Sequence, residues 1–272
     1  MRSFLTVLLA GFAVAARPFE DAPDTGIDEA LGSTPNDTLA PLDRMVGLND
    51  FGWAAERYLN ASSWAFYRAG AGGEWSFRNN MESFARVTWK PRVLVGITKV
   101  PNTMNTTLFG HQLLSTNVLY VASMHATKSL DEIAAAKAEG QVTAHQFYNE
   151  GTDADTLKYF NDVKAAGGKA IFFTVHSAGD GNRHRAARDD VTSSDSGYSF
   201  ISWDYYKHLQ NMTSLPVIPK VALEIYQEAP GIFQQIDVYA DGGVRYGSDV
   251  LKLLALGVKA VGVARPFAFA NM

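Results

Sequence analysis

The residues with the clearest chemical promise lie near the C-terminus, in Asp241-Gly242-Gly243-Val244-Arg245 and again in Ala264-Arg265. Each group closes an apolar run, Ile236 to Ala240 before the first and Ala260 to Val263 before the second. Small-residue turns at the ends of successive strands can bring backbone N–H groups and an arginine around a phosphate. In a barrel of eight alternating strands and helices, such a site often follows the last two strands. The plainer alternative is that Gly242 and Gly243 only make a tight turn. There is no cysteine, which excludes disulfides, thiol catalysis and cysteine metal sites. The 6 histidines show no metal-ligand spacing. A net charge of −4 gives no reason to expect nucleic acid as a partner.

The elements that must position these residues alternate between strand and helix. With 272 residues, 47% hydrophobic and 19% charged, the chain can bury one sizeable core. Met1-Arg2 and the apolar run Phe4 to Ala15 read as a secretory signal over residues 1–15, with Ala13-Val14-Ala15 as the cleavage pattern. That run is too short to span a bilayer, and no later segment is long enough to anchor the chain. Sequons at Asn36, Asn60, Asn105 and Asn211 agree with a secreted glycoprotein. Residues 16–40 lack an apolar period and read as a flexible arm before one domain over 41–272. A helical pair is expected from Leu48 to Tyr67, a break at Gly70–Glu74, a further helix from Trp75 to Arg86 and an extended stretch from Trp89 to Ile97. Strands follow at Leu119–Ser123, Ala144–Tyr148, Lys169–Val175 and Leu215–Ile218. Helices follow at Ser129, Thr156–Ala166, Trp203–Gln210 and Val221–Gln227, and a polar loop over 176–200. The alternation points to βα units and a parallel sheet.

At this level the chain resembles the FMN-dependent α-hydroxy acid oxidase and dehydrogenase family, the group of glycolate oxidase and L-lactate dehydrogenase flavoproteins. The resemblance runs from about Leu48 to Met272. It rests on Trp64-Ala65-Phe66-Tyr67-Arg68-Ala69-Gly70-Ala71, Gln146-Phe147-Tyr148, Thr174-Val175, Arg183, Ser202-Trp203, Leu215-Pro216 and Asp241 to Arg245. It implies an α/β fold, the (β/α)8 TIM barrel with an N-terminal helical cap, and FMN as cofactor. It further implies that Ser123, Gln146, Thr174 and Lys220 face the flavin, and that Asp241, Gly242, Gly243, Val244, Arg245, Ala264 and Arg265 hold its phosphate. Tyr148 and Arg183 would bind a small 2-hydroxy acid substrate, and a homo-oligomer is compatible with the family. Gln146 also reads as a plain strand-end amide, Tyr148 as core, and Arg183 as a solvated loop charge.

The chain departs from the family pattern where the chemistry is centred. The family's Ser-Asn-His-Gly-Gly-Arg-Gln segment, which supplies the base and a carboxylate clamp, is absent, and Lys220 runs directly into Val221-Ala222-Leu223-Glu224. A second gap falls near Leu114 to Asn117, and the chain stops before the final helix of the pattern. Six barrel strands are expected, which makes the barrel incomplete. Phe66 stands in place of a substrate-binding tyrosine, Ala264 in place of a glycine, and His176 in place of the aspartate that orients the base. His176, with Asp180 near in sequence, is a conceivable substitute base. Two functions remain open: an FMN-dependent oxidoreductase of L-2-hydroxy acids, or a non-catalytic product, either a truncated isoform or a damaged gene model, that keeps part of the flavin site.

Overall fold

The computed structural model describes residues 25–90, 105–113, 118–175, 181–191, 201–220 and 237–272. In chain order it begins with helices α1 (Ile27–Leu31), α2 (Leu48–Tyr58), α3 (Ala61–Arg68) and α4 (Trp75–Glu82). Strands β1 (Thr106–Leu108), β2 (His111–Leu113) and β3 (Tyr120–Ala122) follow. Next come α5 (Leu130–Ala135), β4 (Thr143–Phe147), α6 (Asp153–Ala165), β5 (Ile171–Thr174) and α7 (His184–Ala187). The chain continues through α8 (Trp203–Asn211), β6 (Val217–Lys220), β7 (Tyr239–Asp241), α9 (Gly247–Ala255), β8 (Ala260–Gly262) and α10 (Arg265–Ala270). The chain divides into two compact units. One comprises Met1–Lys90, Gly181–Thr192 and Gly231–Met272, the other Pro91–Asp180 and Ser193–Pro230.

In the second unit β3, β4, β5 and β6 form a parallel sheet in that order. Its middle strands are largely buried on both faces, as a sheet covered by helices requires. Phe147 and Phe173 from the sheet meet Phe160 and Val163 of α6 and Leu209 of α8. Phe147 and Phe160 pack edge to face at 5.0 Å. Local capping starts these helices. Ser129 and Glu132 close a capping box on α5, Thr152 and Asp155 close one on α6, and Ser202 caps α8. The box places the start of α6 ahead of the expected Thr156. Strands β1 and β2 make an antiparallel hairpin that the sequence reading did not anticipate.

In the first unit β7 and β8 pair in parallel, with Asp241 opposite Gly262. Asp50 starts α2 by accepting from the N–H groups of Val46 and Gly47 at 2.9 and 3.0 Å and from the Thr25 hydroxyl. Asn60 caps α3. The arm expected over residues 16–40 holds a helix, α1, because Asp28 accepts from Trp53 Nε1 at 2.8 Å and pairs with Arg57 at 3.3 Å. The loop expected over 176–200 likewise contains α7, fixed by Ala186, which is buried. The signal over 1–15, the extended stretch beyond residue 90, Leu114 to Asn117, His176, Asp180 and the helix Val221–Gln227 lie outside the described residues. Among the described residues there are six parallel strands, in ladders of four and two, not the eight of a closed ring. No described helix is long and apolar enough to cross a membrane.

Candidate functional site

Three of the expected site residues are joined in the second unit. Gln146 and Tyr148 are two apart on an extended segment and therefore share a face. Gln146 Nε2 donates to the Tyr148 hydroxyl at 2.9 Å and to Thr174 Oγ1 at 2.8 Å. The β5–β6 register then places Lys220 opposite Thr174. All four lie at the C-terminal ends of parallel strands, where barrel folds carry their chemistry. Gln146 and Tyr148 are both only partly buried. The Tyr159 hydroxyl from α6 donates to the Gln146 carbonyl at 2.9 Å, which pins the strand beneath the amide. Burial pushes that phenol up to about 12, so it stays protonated. Ser123 is exposed just beyond β3 and accepts from the His125 N–H at 3.3 Å. No described hydrogen bond joins it to Gln146.

The sequence reading missed one pair in the same unit. His125 Nε2 lies 3.0 Å from Glu150 Oε1, and its ring packs against Tyr148 with centroids 5.3 Å apart. An imidazole held by a carboxylate is a common proton-handling arrangement. Both residues sit in the segments after β3 and β4, and only the tertiary register brings them together.

The first unit holds the glycine turn. Gly242 and Gly243 have φ of 99° and 74°, a conformation that side-chain-bearing residues avoid. A Cβ on Gly243 would also overlap the Asn80 carbonyl at the end of α4. This glycine therefore serves the packing of a helix as well as the turn. Val244 is buried, and Asp249 Oδ2 accepts from the N–H groups of Arg245 and Tyr246, each at 3.0 Å. Those two donors are spent within the fold. Ala264, at φ −108°, precedes α10, so its backbone does not demand a glycine's positive φ.

The arginines here were expected to be two and are more. Arg265 donates to the Ala69 carbonyl at 3.4 Å, and its guanidinium lies 4.3 Å from the centre of the Phe77 ring. Arg68 lies over the same ring at 4.4 Å. Glu74, buried in a left-handed conformation ahead of α4, takes two hydrogen bonds from Arg185 at 2.9 and 3.1 Å, and one from Arg68 at 3.3 Å. Burial alone would raise the Glu74 carboxyl. The Arg185 hydrogen bond, the Gly70 N–H and the two guanidinium charges outweigh that and hold it at about 2. Arg265 is brought down to about 10 by burial first, then by the charges of Arg245, Arg68 and Arg183. Burial likewise lowers Arg245 and Arg68. Arg183 belongs to this unit, and its carbonyl accepts from Ala187 N–H to start α7.

The chain matches the model of a family described as FMN-dependent dehydrogenase over residues 55–115, 113–197 and 210–272. It is 26% identical to the L-lactate dehydrogenase (cytochrome) of Saccharomyces cerevisiae, with 93% of this chain and 58% of that protein aligned. It is 27% identical to the 2-hydroxyacid oxidase 2 of Bos taurus, over 82% of this chain and 86% of that protein. The chain thus spans little more than half of the yeast relative. That alignment runs over 345 residues, whereas 93% of 272 is about 253, so about 90 positions have no counterpart in this chain. A solved flavocytochrome b2 variant superposes with a TM-score of 0.77 at 25% identity, covering 91% of this chain and 81% of the other. A putative lactate oxidase of Pediococcus acidilactici shares the fold with a TM-score of 0.75 at 21% identity, covering 86% and 85%. The fold class is accordingly the α/β (β/α)8 barrel, incomplete, with helices preceding it.

Proposed function

Because the chain belongs to the FMN-dependent dehydrogenase family, we propose that it is an FMN-binding relative of the L-2-hydroxy acid oxidoreductases whose conversion of these acids to 2-oxo acids is impaired. FMN is the cofactor of the family. The observation that carries the reading is a missing segment. Strand β6 ends at Lys220, and the sequence proceeds at once to Val221-Ala222-Leu223-Glu224, with no Ser-Asn-His-Gly-Gly-Arg-Gln anywhere in the chain. The unmatched positions in the alignments support the same reading.

The residues present fit the cofactor at each end taken by itself. Around Arg245 and Arg265 the surplus of partly buried guanidinium charge suits a phosphate dianion. At the strand ends of the second unit, Gln146, Thr174 and Lys220 offer the amide, hydroxyl and ammonium groups that suit a polar ring edge. When bound, FMN supplies the electron acceptor for removal of the substrate's α-hydrogen. Thr174 and Tyr148 fix the Gln146 amide in one orientation. Arg183 supplies a cation for a carboxylate. What the sequence lacks is the histidine of the family's base segment. General base catalysis typically supplies ~10²–10⁴ in rate. Loss of substrate positioning removes a further ~10²-fold.

A second reading, residual turnover through His125, rests on the contact of that imidazole with Glu150 and Tyr148. One assay separates the two. Protein with excess FMN is mixed anaerobically with glycolate, L-lactate or a longer 2-hydroxy acid, and flavin absorbance is followed. The expected outcome is no bleaching on the timescale of minutes. Rapid bleaching that His125→Ala abolishes establishes the second reading. Rapid bleaching that survives His125→Ala refutes both.

The same chain is proposed to enter the secretory route as a glycoprotein. The apolar run Phe4 to Ala15 supports this, as does the exposure of Asn36, Asn60, Asn105 and Asn211. Asn60 uses its carbonyl oxygen to cap α3, which leaves the amide nitrogen for a sugar.

A further inference from the structure

One arginine cluster in the first unit carries more positive charge than the carboxylates around it offset. Five arginines, Arg68, Arg183, Arg185, Arg245 and Arg265, act electrostatically on one another. Among the described residues the carboxylates acting on Arg68, Arg185, Arg245 and Arg265 are Glu56, Glu74 and Asp249. Arg183 set aside, four cations against three carboxylates leave a net positive charge in a partly buried region. Even at about 10, Arg265 is protonated at neutral pH, so the surplus persists. An uncompensated buried charge is costly, and a dianion removes that cost.

The surplus is not spread evenly. Glu74 is committed chiefly to Arg185 through two hydrogen bonds, and Arg68 reaches it with one longer bond. Asp249 is occupied by two backbone N–H groups. Arg68 and Arg265 lie over one phenyl ring, so their guanidinium carbons are no more than about 9 Å apart. One phosphate at the ring's edge can bridge that span. Gly70 keeps the wall thin there, since a Cβ on it would come within 2.9 Å of Phe77.

We infer that Arg68, which lies outside both glycine-turn motifs, is a further phosphate ligand and completes with Arg245 and Arg265 a three-arginine site for a phosphate monoester dianion. The inference rests on the FMN reading only for the identity of the ester. Phe77 holds two of the guanidiniums by cation–π contact, and Glu74, paired with Arg185, steadies Arg68 through a hydrogen bond.

The test compares FMN, riboflavin and inorganic phosphate on the full chain, by flavin fluorescence quenching for the first two and by thermal shift for the third. The ratio of FMN to riboflavin affinity isolates the phosphate. Arg68→Gln, which keeps a hydrogen-bonding group toward Glu74, is expected to lower that ratio by about 10- to 100-fold. Arg68→Lys, which keeps the charge, is expected to retain most of it, and near-UV circular dichroism reports whether each variant is folded. Should Arg68→Gln fail to fold, Arg68→Met takes its place: a ratio lowered to that of Arg245→Ala supports the assignment, and a wild-type ratio in Arg68→Met overturns it. An unchanged ratio in folded Arg68→Gln overturns the role of Arg68 and leaves FMN binding standing. Stabilisation by phosphate that depends on Arg68, with no binding of either flavin, upholds the anion site and overturns the FMN reading. No response to any of the three ligands overturns both.

Discussion

Replacing Glu74 with glutamine is expected to destabilise the first unit in a pH-dependent way. The carboxyl is held at about 2 instead of 4.5 because Arg185, Gly70 N–H and Arg68 together outweigh the penalty of its burial. At 1.36 kcal/mol per pH unit that depression corresponds to about 3 kcal/mol of stability. Arg185 is 47% exposed and solvent screens its charge, so about 2 kcal/mol is the working figure. The sign follows from the depressed value. The contribution is complete above the unfolded carboxyl's range near 4.5, and is lost as pH falls through that range toward 2. Urea unfolding at pH 7, 4 and 2.5 tests this. Tryptophan fluorescence suits it, because Trp53, Trp64, Trp75 and Trp89 all belong to the first unit. Wild type should exceed Glu74→Gln by about 2 kcal/mol at pH 7, and the gap should nearly close by pH 2.5. A gap of the same size at pH 7 and pH 2.5, or none at pH 7, refutes the assignment of Glu74 as the counter-charge of this cluster.

Gly243→Ala should destabilise the same unit by about 1–3 kcal/mol, from its positive φ and the Asn80 carbonyl beside it. Gly247→Ala, with open space around it, should stay within about 0.5 kcal/mol of wild type; equal effects of the two in urea unfolding would contradict the packing account. Expressed in a secreting eukaryotic host, the protein should lose mass on glycosidase treatment and begin after Ala15. An intact Met1 on an unglycosylated product would reject the secretory route.

Much of the fold was legible because its signals are local. Ser129 with Glu132 announces a helix start within four residues, since capping is settled between near neighbours. The apolar run around Phe173 reads as a parallel strand because both faces of such a strand are covered. The thresholds of α6 and β6 were placed less well, because Thr152 and Lys220 take their roles from a capping box and a strand register. The hairpin of β1 and β2 was missed, as three-residue strands carry too little alternation to stand out.

The candidate site divides along the same line. The types and spacing of Asp241 to Arg245 and of Gln146 to Tyr148 were enough to suggest a phosphate turn and a polar strand end. The missing base segment is likewise a fact of sequence alone. Only the tertiary structure shows that Thr174 receives the Gln146 amide, that Glu150 meets His125, and that Asn80 makes Gly243 obligatory. Only it brings Arg185 onto Glu74 across 111 positions of chain and sets Arg68 and Arg265 on one phenyl ring. The physical reason is range. Propensity and capping act between neighbours along the chain, whereas charge balance and packing act through space, and sequence separation does not fix which residues share a region of low dielectric.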